Sequence, residues 1–377
     1  MAIFKTSVFA NYQNSILHND LTNRSYHYDT ADIEMLRQLS IASADLESLT
    51  HSTQAAPSLK SRFEYLVQEK LLVPACTDEA SAFVPHRIDI ETFRQCNARC
   101  RYCPQSISQK TRGIMPMRIF NDVLNNLYST HPQWIAFNHY GEPLLDPYFQ
   151  QRIEGLREHG HRLRLFTNAT LLTDSITDFL CQTDLYGVVF NFPSLDPLEW
   201  CQLMQLPEKV YWKARRGIEH FLSVIDEIPD GVTISVNAIT TNQQHRAEQI
   251  ADHFGSIGDV RIHSQMSHSR AGSIINGSVK VVENAIGGLY AGCKRFVGHL
   301  HVSWEGKVFQ CCQDYEQVMV FGDLRTQSLY SIMASSKARQ LRAEIFGLAP
   351  MQKNRLCLRC PMLRRTRFPI NDEALPD

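Results

Sequence analysis

The chain has 377 residues, 44% hydrophobic and 20% charged, which allows two or three domains with sizeable cores and excludes global disorder. Its net charge of −1 supplies no field toward nucleic acid or an anionic membrane, so neither is expected as a partner. Met1–Ala10 carries one lysine and no long apolar run, and nothing approaches the roughly 20 apolar residues of a membrane span, so a cytoplasmic protein is expected. Residues 1–85 read as a first domain. Ser7–Tyr28 predicts two or three short strands, Thr30–Leu39 a helix capped by Asp29 or Thr30, and Asp45–Thr50 and Leu59–Lys70 two more helices. A small sheet followed by three helices outlines a winged helix-turn-helix. With six Lys/Arg against ten Asp/Glu, it has the wrong sign for phosphate contacts. Peptide docking or an inert cap stays open.

From His86 strands and helices alternate. Strands are predicted at Arg87–Glu91, Trp134–Phe137, Leu163–Phe166, Gly187–Phe190, Val232–Ala238 and Val260–Ile262. Helices are predicted at Met117–Tyr128, Tyr148–His159, Ser175–Cys181, Lys209–Asp226 and Gln244–Phe254. This pattern argues for an α/β fold with a parallel sheet and right-handed crossovers over residues 86–285. Residues 286–377 form a third segment with a strand at Leu300–Trp304, a turn at Glu305-Gly306 and a polar tail after residue 365.

Eleven cysteines are many for a reducing compartment unless they hold metal. Cys96, Cys100 and Cys103 follow the first barrel-region strand with C-x3-C-x2-C spacing, and Tyr102 precedes the third. Three thiolates on one tight loop can hold three irons of a [4Fe–4S] cube and leave the fourth open. A zinc loop is the alternative, but zinc wants a fourth ligand close by. After the second strand stands Asn138-His139-Tyr140-Gly141-Glu142-Pro143. A carboxylate and carbonyls in a bend can accept from an ammonium group. The third strand ends in Thr167-Asn168-Ala169, and the fifth carries Ser235 and Asn237.

Together these motifs resemble the radical SAM superfamily. Gly141-Glu142-Pro143 is similar to its GGEP motif, with Tyr140 in place of the first glycine, and Thr167-Asn168-Ala169 to its T-N-G. The resemblance implies a partial (β/α)6 TIM barrel with chemistry at the strands' carboxyl ends. It implies a [4Fe–4S] cluster and S-adenosylmethionine, reductively cleaved to a 5′-deoxyadenosyl radical. Tyr102 would pack near the adenine, Gly141, Glu142 and Pro143 would meet the methionine amino group, and Asn168, Ser235 and Asn237 the ribose or carboxylate. Ser269-Arg270-Ala271-Gly272 is similar to a segment of peptide-modifying members; Arg270 would meet a carboxylate or stay solvated. A flavodoxin- or ferredoxin-type reductant is implied.

The second set is Cys293, Cys311, Cys357 and Cys360. Its C-x12-G-x4-C spacing through Gly306, with a distant C-x2-C, resembles the twitch form of the SPASM extension. That resemblance implies one auxiliary [4Fe–4S] cluster, for electron relay or structure. Cys312 is the alternative to Cys311, and a four-cysteine zinc ribbon the alternative to the cluster. The first domain resembles the RiPP recognition element, which captures leader peptides. The leading expectation is therefore a maturase that crosslinks or epimerises a ribosomally made precursor peptide. The runner-up is a radical SAM dehydrogenase, dehydratase or epimerase of a small molecule such as an aminocyclitol or sugar; a metal-binding regulator is the non-enzyme reading. An epimerase needs a hydrogen-atom donor, for which Cys181, Cys201, Cys312 and Tyr140 are candidates.

Overall fold

The computed structural model describes residues 4–13, 16–22, 24–41, 56–81, 86–108, 110–127, 132, 134–238, 243–266, 269–271, 284–309 and 311–365. The chain divides into two compact units. One comprises Met1–Val84, Glu283–Gly298 and Met333–Asp377; the other comprises Pro85–Val282 and His299–Ile332. The first and third segments expected from the sequence thus both contribute to the first unit, while the strand expected at Leu300–Trp304 falls in the second.

In the first unit β1 (Phe4–Thr6) pairs antiparallel with β5 (Leu72–Pro74), and β2 (Ala10–Gln13), β3 (Ile16–Asn19) and β4 (Arg24–Tyr26) form a three-stranded antiparallel sheet. Helices Thr30–Ile41 and Ala56–Gln68 pack on it. Ala10, Leu17, Ile33, Leu36, Leu66 and Leu71 lie at the centre of their shared core. The helix expected at Asp45–Thr50 lies outside the described residues, as does the tail after residue 365. The amino-terminal module is tied to the last segment of the same unit. The Arg364 guanidinium pairs with the buried Asp20, Arg339 with Asp78 at 2.7 Å, and Arg342 donates to the Ala80 carbonyl at 2.7 Å. Phe9 meets Phe346 edge to face, with centroids 4.8 Å apart.

The second unit is built on nine strands in the order β11-β10-β9-β8-β7-β6-β12-β13-β14 among the described residues. They are β6 (Arg87–Ile90), β7 (Trp134–Phe137), β8 (Leu163–Thr167), β9 (Leu185–Asn191), β10 (Val232–Ala238), β11 (Val260–Met266), β12 (His299–Val302), β13 (Lys307–Phe309) and β14 (Val320–Asp323). From β11 to β12 every pairing is parallel, and β13 and β14 add antiparallel. The result is a mixed α/β fold with a large parallel sheet. Helix Met117–Leu127 buries Ile119, Phe120, Val123, Leu124 and Leu127, the one-sided stripe that a 3.6-residue period gives. Phe120 and Phe149 both meet Phe137 of β7. A helix at Pro197–Met204 stands where none was expected; Asp196 caps it by accepting from the Leu198 and Glu199 amides.

Strand β6 has opposite faces of different chemistry. Ile88 and Ile90 are fully buried on one; Asp89 and Glu91 are 1% exposed on the other. The parallel register sets His301 of β12 beside Asp89. No helix of the described residues is long and apolar enough to cross a membrane.

Candidate active site

The cysteine loop leaves β6 through a buried ion pair, Arg94 with Glu91 at 2.9 Å, both about 1% exposed or less. Its backbone is then fixed by the helix that the sequence did not announce: the Arg99 amide donates to the Met204 carbonyl at 3.2 Å and Arg101 to Leu203 at 2.9 Å. The Cys103 amide closes the turn onto the Cys100 carbonyl at 3.0 Å. Cys100 Sγ lies 3.5 Å from Met204 Sδ. Tyr102 is 8% exposed, and its hydroxyl bonds Asn191 at the carboxyl end of β9, with the Asn191 amide donating at 2.9 Å. That ring wedges the loop over the strand ends.

The three thiols share one electrostatic environment. Burial, then Glu142 and Cys103, push Cys96 up to about 12. Burial, then Cys103 and Cys96, push Cys100 well up, and burial raises Cys103. Cys103 opposes the ionisation of both Cys96 and Cys100, as thiols gathered around a cationic group would. Among the described residues no three or more His, Cys, Asp or Glu side chains gather as the ligands of a single ion do.

The carboxyl ends of β7 and β8 meet over this loop. Gly141 touches the backbone of the cysteine loop's first residues. A Cβ there would stand 1.5 Å from the Phe93 carbonyl oxygen, so only glycine permits the approach. The next amide, of Glu142, donates to the Gln95 carbonyl at 2.8 Å. The Glu142 carboxylate is 2% exposed. It accepts from the Thr167 hydroxyl at 2.6 Å, the Asn168 amide at 2.8 Å and the Leu144 amide at 3.1 Å. Burial raises its pKa, and those three donors work against the rise. Glu142 therefore spends most of its roughly four acceptor sites on the protein, pinning the Gly141–Pro143 turn to β8. Asn168 donates to Asn97 at 3.0 Å and reaches Cys96 Sγ at 3.7 Å. Asn97 donates to Thr170 at 2.8 Å. Ala169 sits at φ 59°, where the family's T-N-G has glycine, and His139 at φ 119°. Ser235 pairs in register with Asn191, the partner of Tyr102, and Asn237 lies two residues further along β10.

Tyr140, 5% exposed, donates its hydroxyl to the Cys312 carbonyl. Arg94 donates to the Tyr315 carbonyl at 2.8 Å, and Gln317 to Glu91 at 3.0 Å. Segment 311–317 is thereby sewn to the ends of β6 and β7. Arg270, at φ 47°, exerts its charge on both Cys103 and Tyr140.

In the first unit, Cys357 lies within a short 3-10 turn, Leu356–Arg359, and Cys360 follows it. Asn284 holds it, donating to the Cys357 and Cys360 carbonyls, each at 3.2 Å. Burial, then Cys360, push Cys293 up to about 11, so these two thiols oppose each other's ionisation.

Not every candidate joins the site. Cys181 is exposed at the carboxyl end of helix Asp174–Cys181, which leads into the start of β9. That places it at the amino ends of the strands, away from the cysteine loop. Cys201 is partly exposed on helix Pro197–Met204, whose Leu203 and Met204 face the loop. Sequence reading missed Glu91, Arg94, Asn97, His139, Asn191, Asn284 and His301. One signal was available: Arg87-Ile88-Asp89-Ile90-Glu91 alternates, which a strand buried on two apolar faces does not.

The family model of the radical SAM superfamily matches residues 90–253. That of the SPASM iron–sulfur cluster-binding domain matches residues 293–361. A tungsten-containing aldehyde ferredoxin oxidoreductase cofactor-modifying protein of Pyrococcus furiosus is 29% identical over 114 residues, 30% of this chain and 31% of its own. The S-adenosyl-L-methionine-dependent 2-deoxy-scyllo-inosamine dehydrogenase of Niallia circulans is 34% identical over 91 residues, 23% of this chain and 36% of its own. The chain thus spans about a third of the length of these curated relatives. Streptococcus suis SuiB bound to precursor peptide SuiA shares the fold, with TM-score 0.54 and 12% identity over 97% of this chain and 94% of that one.

Proposed function

We propose, from the premise that the chain is a radical SAM enzyme with a SPASM iron–sulfur domain using S-adenosylmethionine and iron–sulfur clusters, that its substrate is a ribosomally made precursor peptide which it crosslinks or epimerises. The observation that carries this reading is the extent of the likeness to the peptide-bound SuiB structure: 97% of the chain, and so most of the amino-terminal module. In that module β4 pairs with β3 on one side and is largely exposed. A leader peptide would add to it as a further strand, with main-chain bonds supplying affinity. Holding the leader raises the effective concentration of the residue to be modified.

In this reading residues 1–85 are a winged-helix recognition element, 86–285 a partial (β/α)6 barrel and 286–377 a twitch-type auxiliary domain. Cys96, Cys100 and Cys103 would hold three irons of a first cluster, and Cys293, Cys311, Cys357 and Cys360 are the candidate ligands of a second. A cluster held by Cys96, Cys100 and Cys103 would supply one-electron reductive chemistry to bound S-adenosylmethionine. The chain's own part is placement. Gly141 lets the turn lie against the cysteine loop, and Glu142 locks that turn to β8, setting the turn to meet the methionine amino group. Asn168 orients Cys96, and Tyr102, held by Asn191, shields the adenine side from water. An external flavodoxin- or ferredoxin-type protein would supply the electron.

A small-molecule dehydrogenase is the second reading, favoured by the 34% identity to the inosamine dehydrogenase. Titration of the full-length protein with the precursor peptide encoded nearest its gene separates the two. Micromolar binding and a mass change in the peptide during anaerobic turnover support the first reading. No binding, with oxidation of a free aminocyclitol or sugar, replaces it with the second.

A further inference from the structure

His139 departs from ordinary behaviour in both backbone and side chain. Its backbone sits at φ 119°, beyond the left-handed helical region that a few non-glycine residues visit. Its side chain is 1% exposed, and among the described residues neither ring nitrogen has a hydrogen-bond partner. A buried polar group without such a partner costs stability, as does a backbone held at positive φ. Departures of this kind persist where the surroundings fix them, and they gather at functional sites. The surroundings of His139 all belong to one compact unit. Glu91, just past the end of β6, lies 3.6 Å from His139 Nδ1. Burial pushes the Glu91 carboxyl up, and His139, then Arg94, more than reverse the rise. Three rings meet the imidazole edge to face: Tyr140, Phe309 and His301, with centroids 4.1, 4.9 and 5.2 Å away. Asn138, the residue before, is still tied to β6. Its amide donates to the Ile90 carbonyl at 3.4 Å and its side chain to Asp89 at 3.2 Å. Gly141, two residues after His139, already lies against the Phe93 carbonyl. His139 and Tyr140 must turn the chain between these anchors, and the positive φ of His139 makes that turn.

We infer that His139 is a positioning residue for S-adenosylmethionine: its clamped imidazole holds the positive-φ backbone that lays Gly141–Pro143 over the cysteine loop. The inference rests on the functional reading above, and adds a residue that lies outside the motif. Glu142 fastens the turn to β8, and His139 fastens the approach to that turn beside the end of β6. With the imidazole gone, the approach samples other conformers. Affinity then falls in proportion to the fraction of time left in the binding geometry.

The test is a cycle of four full-length proteins: the parent, His139→Gly, Glu142→Ala, and the combination. Each is reconstituted anaerobically, its iron counted, and its S-adenosylmethionine dissociation constant measured by equilibrium dialysis. His139→Gly removes the ring and leaves a residue that adopts either sign of φ. It should weaken S-adenosylmethionine binding about fivefold or more with iron content unchanged. In the Glu142→Ala background, where the turn has already lost its fastening to β8, the same change should have an effect of about twofold or less. A residue that merely supports the fold would act by the same ratio in both backgrounds. His139→Asn also removes the ring and tolerates positive φ; it should act in the same direction, and it serves if His139→Gly fails to fold. Equal ratios in the two backgrounds overturn the inference. So does a His139→Gly protein that binds as tightly as the parent, since any residue free to take the positive φ would then suffice. A parent that holds its iron and binds no S-adenosylmethionine overturns the functional reading, and the inference with it.

Discussion

The two cysteine sets are built in opposite ways. The first lies within eight residues, on one loop of one compact unit, and the backbone bonds that shape it come from that same unit. The second is spread from Cys293 to Cys360, and its members belong to both units: Cys293, Cys357 and Cys360 to one, Cys311 to the other. The unit that carries three of them also contains the amino-terminal module, tied to it by Asp20–Arg364, Asp78–Arg339 and the Ala80 carbonyl with Arg342.

Truncation should break the comparison open most widely. Removing residues 1–84 strips Arg364, Arg339 and Arg342 of these partners. Reconstituted iron should fall from about eight to about four per chain by ligand count, while S-adenosylmethionine cleavage persists. Eight irons in the truncated protein would separate the second set from the amino-terminal module. A single change in the same unit should act in the same direction. Asp20→Asn leaves the Arg364 guanidinium, 6% exposed, facing a neutral amide. Breaking a buried pair costs about 3–5 kcal/mol, so denaturant unfolding of this unit should shift by that order. A shift within error would mean that water already screens the pair.

The first set is sharpened by its supporting residues. Glu142→Ala removes the acceptor of three buried donors, each worth about 1–3 kcal/mol when left unpaired. The turn should loosen and S-adenosylmethionine affinity fall roughly ten- to hundredfold, with iron content intact. Because burial raises the Glu142 pKa, its contribution to stability is fully present below the ordinary carboxylate value and is lost as pH rises through the folded value. The parent's advantage over Glu142→Gln should therefore shrink in urea titrations as pH rises through that window. Growth of the advantage would place the folded pKa below the ordinary one. Smallest of all, Ala169→Gly relieves a left-handed backbone at φ 59°. It should stabilise the protein by about 1 kcal/mol or less, since glycine's own chain entropy offsets part of the gain. A lower melting temperature would contradict this.

What the sequence made legible follows the same division. Alternating strands and helices announced the parallel sheet, because each strand is a short apolar run closed by turn residues. The spacing of Cys96, Cys100 and Cys103 announced a three-thiolate loop. Helix Pro197–Met204 was hidden, since Leu198, Trp200 and Leu203 do not form a long stripe, yet it supplies the carbonyls that fix the loop. The role of Glu142 was only half visible: the motif points to the turn, but only the fold shows its carboxylate occupied by Thr167, Asn168 and Leu144. Nor could spacing reveal that Asn284 clamps the Cys357–Cys360 turn, or that Tyr140 reaches Cys312, because those partners are distant in the chain. His301 looked like an ordinary strand residue and His139 like part of a strand-end turn; the fold brings their rings to 5.2 Å, beside Asp89 and Glu91.

The central claim is that the first loop is the place where S-adenosylmethionine is cleaved. Its most direct test is 5′-deoxyadenosine formation, followed by chromatography and mass spectrometry, in reconstituted full-length protein reduced with dithionite. The parent should form it, and so should Cys357→Ala/Cys360→Ala, which spares the first set. Cys96→Ala/Cys100→Ala/Cys103→Ala should form none while keeping about four irons. Formation of 5′-deoxyadenosine by the triple variant, or none by a parent that holds eight irons, would contradict the account.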